Sequence, residues 1–274
     1  MGDKPTFPAL LKPVAPVLVL AGDIGQPQQR SYHDLLYHCS RNWTDVIVVA
    51  GNHELYGGVA DKRLAACRSV ASEFGNVHFL ERDRVVCKGV TFLGCTLWTH
   101  NAPQDGLNDY RKIRLDDGKA PLRATDTNGW HARDKEWLRL ALANVEGPAV
   151  VVTHHLPSFR LIAQEFEGHP ANNGFASDCD ALIAPPVSAW IAGHTHRAMR
   201  VRFENGVEVC VNPRGYPDEI GSGYSRGVIV EVPLDGVPGN EGAVDWPYLD
   251  HMAAAHANSA LSGFVGVNDD VVVV

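Results

Sequence analysis

Apolar residues in this chain gather in short β-branched runs, and several of those runs stop abruptly on a polar cluster. The runs predict strands at Val17–Leu20, Val46–Val49, Val90–Leu93, Val150–Thr153, Trp190–Ala192, Val207–Val211 and Val228–Val232. Helical spacing of apolar residues predicts helices over Tyr32–Ser40 and Lys62–Phe74. A third helix, Asp134–Ala143, places Trp137, Leu138, Ala141 and Leu142 on one face and is predicted to start after an Asp cap. Strand and helix alternate through the first two-thirds, whereas strands crowd together from about 188 to 233. That order predicts an α/β fold of the α+β type, with helices outside two packed sheets.

A Gly/Pro-rich stretch at Val232–Gly242 divides the chain into a main domain, 1–233, and a C-terminal extension, 234–274. The extension contains a helix candidate, Tyr248–Ala260, and ends in Val271–Val274. Packing back as an appendage and forming a homodimer contact both stay open for it.

The 274 residues suffice for one large α/β domain with a well-buried core, or two small ones. A hydrophobic content of 45% argues against disorder. The net charge of −8 supplies no general basic field, so nucleic acid is a disfavoured partner. A phosphate-bearing ligand then needs a local positive centre. No apolar run approaches the roughly 20 residues of a membrane helix, so no membrane partner is expected. Val14–Ala21 lacks the basic flank and cleavage site of a signal peptide. The six cysteines are scattered, with no Cys-x-x-Cys pair, and read as reduced thiols; a cytoplasmic location is expected.

The chemistry lies in the polar clusters that end the strands. Gly22-Asp23 follows Pro16–Ala21, and Gly51-Asn52-His53-Glu54 follows Asp45–Ala50. Thr153-His154-His155 follows Ala149–Val152, and Gly193-His194-Thr195-His196 follows Ala189–Ala192. Strand ends are where such residues converge in an α/β sheet. Asp23 offers two oxygens and can bridge two cations, Asn52 offers a carbonyl oxygen, and His154 and His194 offer ring nitrogens. This donor mix suits Mn, Fe or Zn. Taken singly, Gly22-Asp23 reads as a turn, Gly51-Asn52-His53-Glu54 as a turn and helix cap and His154-His155 as core histidines, whereas Gly193-His194-Thr195-His196 is more specific. All four in this order point to a metal site.

The same clusters resemble the signature of the calcineurin-like metallophosphoesterase superfamily, which runs Asp-x-His, Gly-Asp, Gly-Asn-His-Asp/Glu, His, Gly-His-x-His. The resemblance covers roughly 17 to 232, and Asn108-Asp109-Tyr110-Arg111 and Asn212-Pro213-Arg214-Gly215-Tyr216 resemble an uncharacterised bacterial branch of it. It implies a four-layer αββα sandwich of two mixed sheets. It also implies hydrolysis of phosphomonoesters or phosphodiesters, on a small phosphate-ester substrate, by water activated on one or two divalent ions. Asp23 would bridge the two ions. Asn52, His154 and His194 would complete one site, with His155 as the alternative to His154, and His196 would belong to the other. His53 would assist the leaving group. Arg111 and Arg214 are candidates to grip phosphate, and Tyr110 and Tyr216 to line the pocket. The remaining histidines, His78 among them, read as ordinary surface or core residues.

The opening Asp-x-His is absent: none of the residues before Asp23 is His. The strand that carries it is therefore expected to be missing, which leaves the chain less stable or recruits another segment or subunit to its place. Three readings stay open. The natural start lies upstream of Met1; or the protein works with one tight and one loose metal; or it is a degenerate relative that binds metal and phosphate without turnover.

Overall fold

Side chains along the first strand alternate between two different cores. Val17 and Val19 pack with Ile47, Val49, Phe92, Val150 and Val152. Leu18 and Leu20 pack instead with Tyr32, Leu36, Cys39 and Cys67. A strand buried on both faces reads as a continuous apolar run, which is why these strands were legible without alternation.

The computed structural model describes residues 7–100, 102–216, 219, 221–234 and 271–273. Its first strands are β1 (Val17–Ala21), β2 (Asp45–Val49), β3 (Gly58–Val59), β4 (Val77–Phe79), β5 (Asp83–Cys87), β6 (Val90–Cys95) and β7 (Ile113–Leu115). Then come β8 (Ala120–Pro121), β9 (Ala149–Thr153), β10 (Val187–Ala192), β11 (Met199–Arg202), β12 (Glu208–Val211), β13 (Val230–Val232) and β14 (Val271–Val273). The α-helices are α1 (Phe7–Leu10), α2 (Arg30–Asn42), α3 (Ala60–Ala71), α4 (Asp109–Lys112) and α5 (Ala124–Leu142).

One sheet has the order β13-β14-β1-β2-β4, with β1, β2 and β4 parallel. The other has the order β11-β12-β10-β9-β6-β5, parallel at its centre and antiparallel at both edges. A three-stranded ribbon, β3-β7-β8, stands apart. Helices α2 and α3 cover the outer face of the first sheet. Helix α5, through Leu138 and Leu142, covers the outer face of the second beside Leu93, Val151 and Trp190. The result is the expected αββα sandwich. Each fully buried Leu, Phe or Val contributes about 1.5–3 kcal/mol, so three separate apolar layers give the strands a rigid frame.

Helix α5 starts well before the predicted Asp134 cap. Its first turn is fastened where the Asp126 carboxylate accepts the Arg123 N–H at 2.9 Å. Asp134 is instead fully buried mid-helix, where it accepts a hydrogen bond from Arg82 at 2.6 Å. Strands β4, β5 and β11 had no sequence prediction, being short or charged: β5 exposes Asp83 and Arg84, and β11 reads Met-Arg-Val-Arg.

Beside β1, on the side away from β2, lies β14. It pairs in parallel with β1 at Val17↔Val273 and antiparallel with β13. A segment of the extension therefore sits next to β1, where the sequence left a strand wanting. The helix candidate Tyr248–Ala260 lies outside the described residues. Among those described, no helix is long and apolar enough to cross a membrane.

Candidate metal centre

The loops after β1 and β2 touch backbone to backbone. A Cβ on Gly22 would stand 2.5 Å from the Gly51 nitrogen and 2.6 Å from His154 Nδ1. A Cβ on Gly51 would stand 2.2 Å from Asp23 Oδ1. Neither position admits a side chain, and Gly22, at φ +85°, is also in the left-handed region. Asp23, His194 and His196 adopt φ of 57°, 71° and 52° without being glycine. Such conformations each cost about 1–3 kcal/mol and persist where the surroundings enforce them.

The enforcing group at Asp23 is Glu54, which is fully buried. Its carboxylate accepts N–H bonds from Asp23 (2.9 Å), Ile24 (2.7 Å), Gly25 (3.3 Å) and Gly51 (2.7 Å). It ties both loops together. Burial and the neighbouring Asp23 charge push the Glu54 carboxyl up, while the N–H bonds hold it down.

Four donor atoms from four loops face one another. His154 Nε2 lies 3.1 Å from Asn52 Oδ1, 3.1 Å from His194 Nδ1 and 3.4 Å from Asp23 Oδ2. Candidate donors of Asp23, His154 and His194 all lie within 4.8 Å of one another. Each neutral donor is turned by a partner on its far side. His154 Nδ1 donates to the Ala21 carbonyl at 2.8 Å, which leaves Nε2 facing the cluster. His194 Nε2 donates to the Gly174 carbonyl at 3.2 Å, which leaves Nδ1 facing it. Asn52 Nδ2 donates to Asp109 Oδ1 at 2.7 Å and to Tyr56 Oη at 3.0 Å, which turns Oδ1 inward. Outer partners of this kind orient metal ligands and fix their tautomers.

The electrostatics fit a cation. Burial opposes charging His154, but the Asp23 carboxylate beside it outweighs burial and raises the imidazole to about 9. Burial, and then the neighbouring His154, push His194 down to about 3. Burial opposes ionising Asp23, yet His154 holds its carboxyl well below the usual range. Asp23 thus favours positive charge at His154 Nε2, where a metal ion's charge would sit. One carboxylate, one amide oxygen and two imidazoles are a suitable shell for Mn, Fe or Zn.

The other predicted residues stand around this cluster. His53 Nε2 is 3.8 Å from Asp23 Oδ2 and 3.2 Å from Tyr216 Oη, and its ring stacks on Tyr56. Burial keeps its imidazole below the usual range. His196 lines the same cleft, but its Nδ1 pairs with Glu219 at 2.8 Å rather than joining the four donors. His155 turns Nδ1 to the Thr96 carbonyl and its ring to Trp98. Tyr110 is buried against Thr127, whereas Tyr216 lines the cleft. Arg214 is exposed on the wall of a 320 Å³ cavity that runs along β1 to Asp23 and His196. Arg111 lines a separate groove with Lys112 and Arg114 and does not reach the donors.

Above the cluster opens a cleft of 610 Å³ walled by Leu107, Ile162, Phe166 and Phe175. Sequence reasoning assigned no role to Glu54, Asp109, Tyr56 or the Gly174 carbonyl. The first two stood inside motifs already singled out, which was the available signal. Replacing Asp109 with alanine is expected to release the Asn52 amide and weaken Mn²⁺ binding about 10–100-fold, as read by calorimetric titration.

A family model described as calcineurin-like phosphoesterase matches residues 3–198. An uncharacterised protein of Acanthamoeba polyphaga mimivirus is 28% identical over 222 residues, which span 74% of this chain and 79% of that protein. Among solved structures, phosphopantetheinyl hydrolase (PptH) from Mycobacterium tuberculosis aligns with a TM-score of 0.51 at 18% identity. That alignment covers 73% of this chain and 79% of that one, and the likeness is one of fold. A Thermus thermophilus protein aligns with a TM-score of 0.46 at 11% identity, over 72% of this chain and 76% of its own.

Proposed function

The chain belongs to the calcineurin-like phosphoesterase family, and we propose that it hydrolyses phosphomonoesters or phosphodiesters at a metal centre held by Asp23, Asn52, His154 and His194. One observation carries the reading: donors from four separate loops face a common point, each neutral one turned inward by a hydrogen bond behind it. A divalent cation there supplies Lewis-acid charge and a bound water of lowered pKa.

The chain's own groups account for the rest. Asp23 supplies the negative charge that holds a cation, and the Glu54 clamp fixes its loop. His53, its imidazole held below the usual range by burial, presents Nε2 at the mouth of the cluster. From there it donates to the leaving oxygen as that atom gains charge. Tyr216 Oη is its hydrogen-bond partner in the absence of substrate. The apolar walls of the cleft exclude water and take the organic part of the ester, while Arg214 reaches phosphate oxygens from the β1 side.

His196, whose Nδ1 is paired with Glu219, keeps Nε2 as its candidate donor to a second ion. The protein loaded with Mn²⁺ is expected to hydrolyse p-nitrophenyl phosphate or its bis-ester. Chelation removes that activity and Mn²⁺ restores it, and His194→Ala falls at least about 100-fold, the scale of one lost transition-state contact. Folded, metal-loaded protein that turns over neither ester above an Asp23→Asn background overturns catalysis and leaves a binding protein.

A further inference from the structure

Three polar side chains interrupt the apolar layer between the two sheets, at the end of β2 opposite the metal centre. Asp45 opens β2 and shares a face with Ile47 and Val49, which pack between the sheets. His78 pairs in register with Ile47, while its neighbours Val77 and Phe79 pack on the helix side. Cys87 closes β5 in the other sheet and belongs to the inter-sheet core. At about 3.3 Å per residue along an extended strand, Asp45 lies roughly 20 Å from Asn52.

Candidate donors of the three lie within 4.8 Å of one another, and His78 Nε2 is 3.1 Å from Asp45 Oδ1. A Zn–S bond of about 2.3 Å and a Zn–N bond of about 2.0 Å put tetrahedral ligands roughly 3.5 Å apart, so small rotamer changes close the set. Cys87 is 5% exposed, whereas the Asp45 and His78 side chains are 21% and 26% exposed. The cluster thus has a buried sulfur and an open outer side with room for water. Burial, and then the Asp45 charge, push the Cys87 thiol up to about 12. Displacing that proton is a cost that a bound cation has to offset, so binding strengthens as pH rises.

We propose that Asp45, His78 and Cys87 form a second metal site that takes a thiophilic divalent cation such as Zn²⁺, with solvent in the remaining position, and bridges the two sheets. Carboxylate, imidazole and thiolate are all zinc donors, and the thiolate selects against Mg²⁺ and Ca²⁺. The catalytic cluster contains no sulfur, so sulfur spectroscopy separates the two sites.

Co²⁺ titrated into the full chain is expected to produce one equivalent of thiolate-to-cobalt charge-transfer absorption in the near ultraviolet, bleached by added Zn²⁺. The band persists in Asn52→Ala, disappears in Cys87→Ser, and needs at least tenfold more Co²⁺ in His78→Gln. A folded wild-type protein without the band at millimolar Co²⁺ overturns the site, as does a band that survives Cys87→Ser. Should Cys87→Ser fail to fold, His78→Gln decides: a titration identical to wild type overturns the proposal.

Discussion

Asp23→Asn is expected to lower metal-dependent phosphoesterase turnover by about 10³-fold or more, the largest effect of any single exchange at the centre. Asparagine matches the shape of the side chain and can still accept the His53 N–H bond that Asp23 Oδ1 accepts at 2.8 Å. What it removes is the only carboxylate among the four donors. Metal-borne charge stabilisation is worth several kcal/mol, and each 1.36 kcal/mol is a factor of ten in rate. Metal content per chain falls together with kcat, and the far-ultraviolet spectrum stays unchanged. An Asp23→Asn protein with near wild-type turnover and metal content would remove Asp23 from the centre.

The second large effect is on stability. Glu54→Ala takes away the acceptor for four N–H groups at once, those of Asp23, Ile24, Gly25 and Gly51. A buried donor left without a partner costs about 1–3 kcal/mol. Water entering the space left by the side chain recovers part of that, so the loss is set at about 4 kcal/mol or more. At roughly 2–4 °C per kcal/mol for chains of this size, the melting temperature falls by about 10 °C. Glu54→Gln keeps one acceptor oxygen but points an amide N–H₂ at backbone donors, so its melting point lies between the two. A Glu54→Ala protein that melts within a degree or two of wild type contradicts the clamp.

The parts of this fold that could be read in advance are those where one physical requirement dominates. Strands β1, β2 and β9 are buried on both faces, so nearly every residue in them had to be apolar. The edges obey no such rule: β5 and β11 tolerate Arg and Asp because one side meets solvent, and their pattern resembles a loop. The start of α5 was misplaced because Asp134 looked like a cap, while its real partner, Arg82, is distant in the chain. The same division holds at the site. That Asp23, Asn52, His154 and His194 come together was readable because such residue types at strand ends need only local context. The hydrogen bonds that aim them were not, since Asn52 is turned by Asp109 and His194 by the Gly174 carbonyl. Those pairings exist only after the loops meet. The proposed extension, 234–274, contributes β14 to the first sheet.

The left-handed backbone at Asp23 and His194 bears on how the protein acquires its ion. In a zinc finger the chain collapses around its metal, and binding and folding are one event. Here the Asp23 torsion is braced by the buried Glu54 carboxylate, which accepts the Asp23, Ile24 and Gly25 N–H groups. On the proposed reading, the loop that presents Asp23 to the ion is thus fastened by a group outside the ligand set.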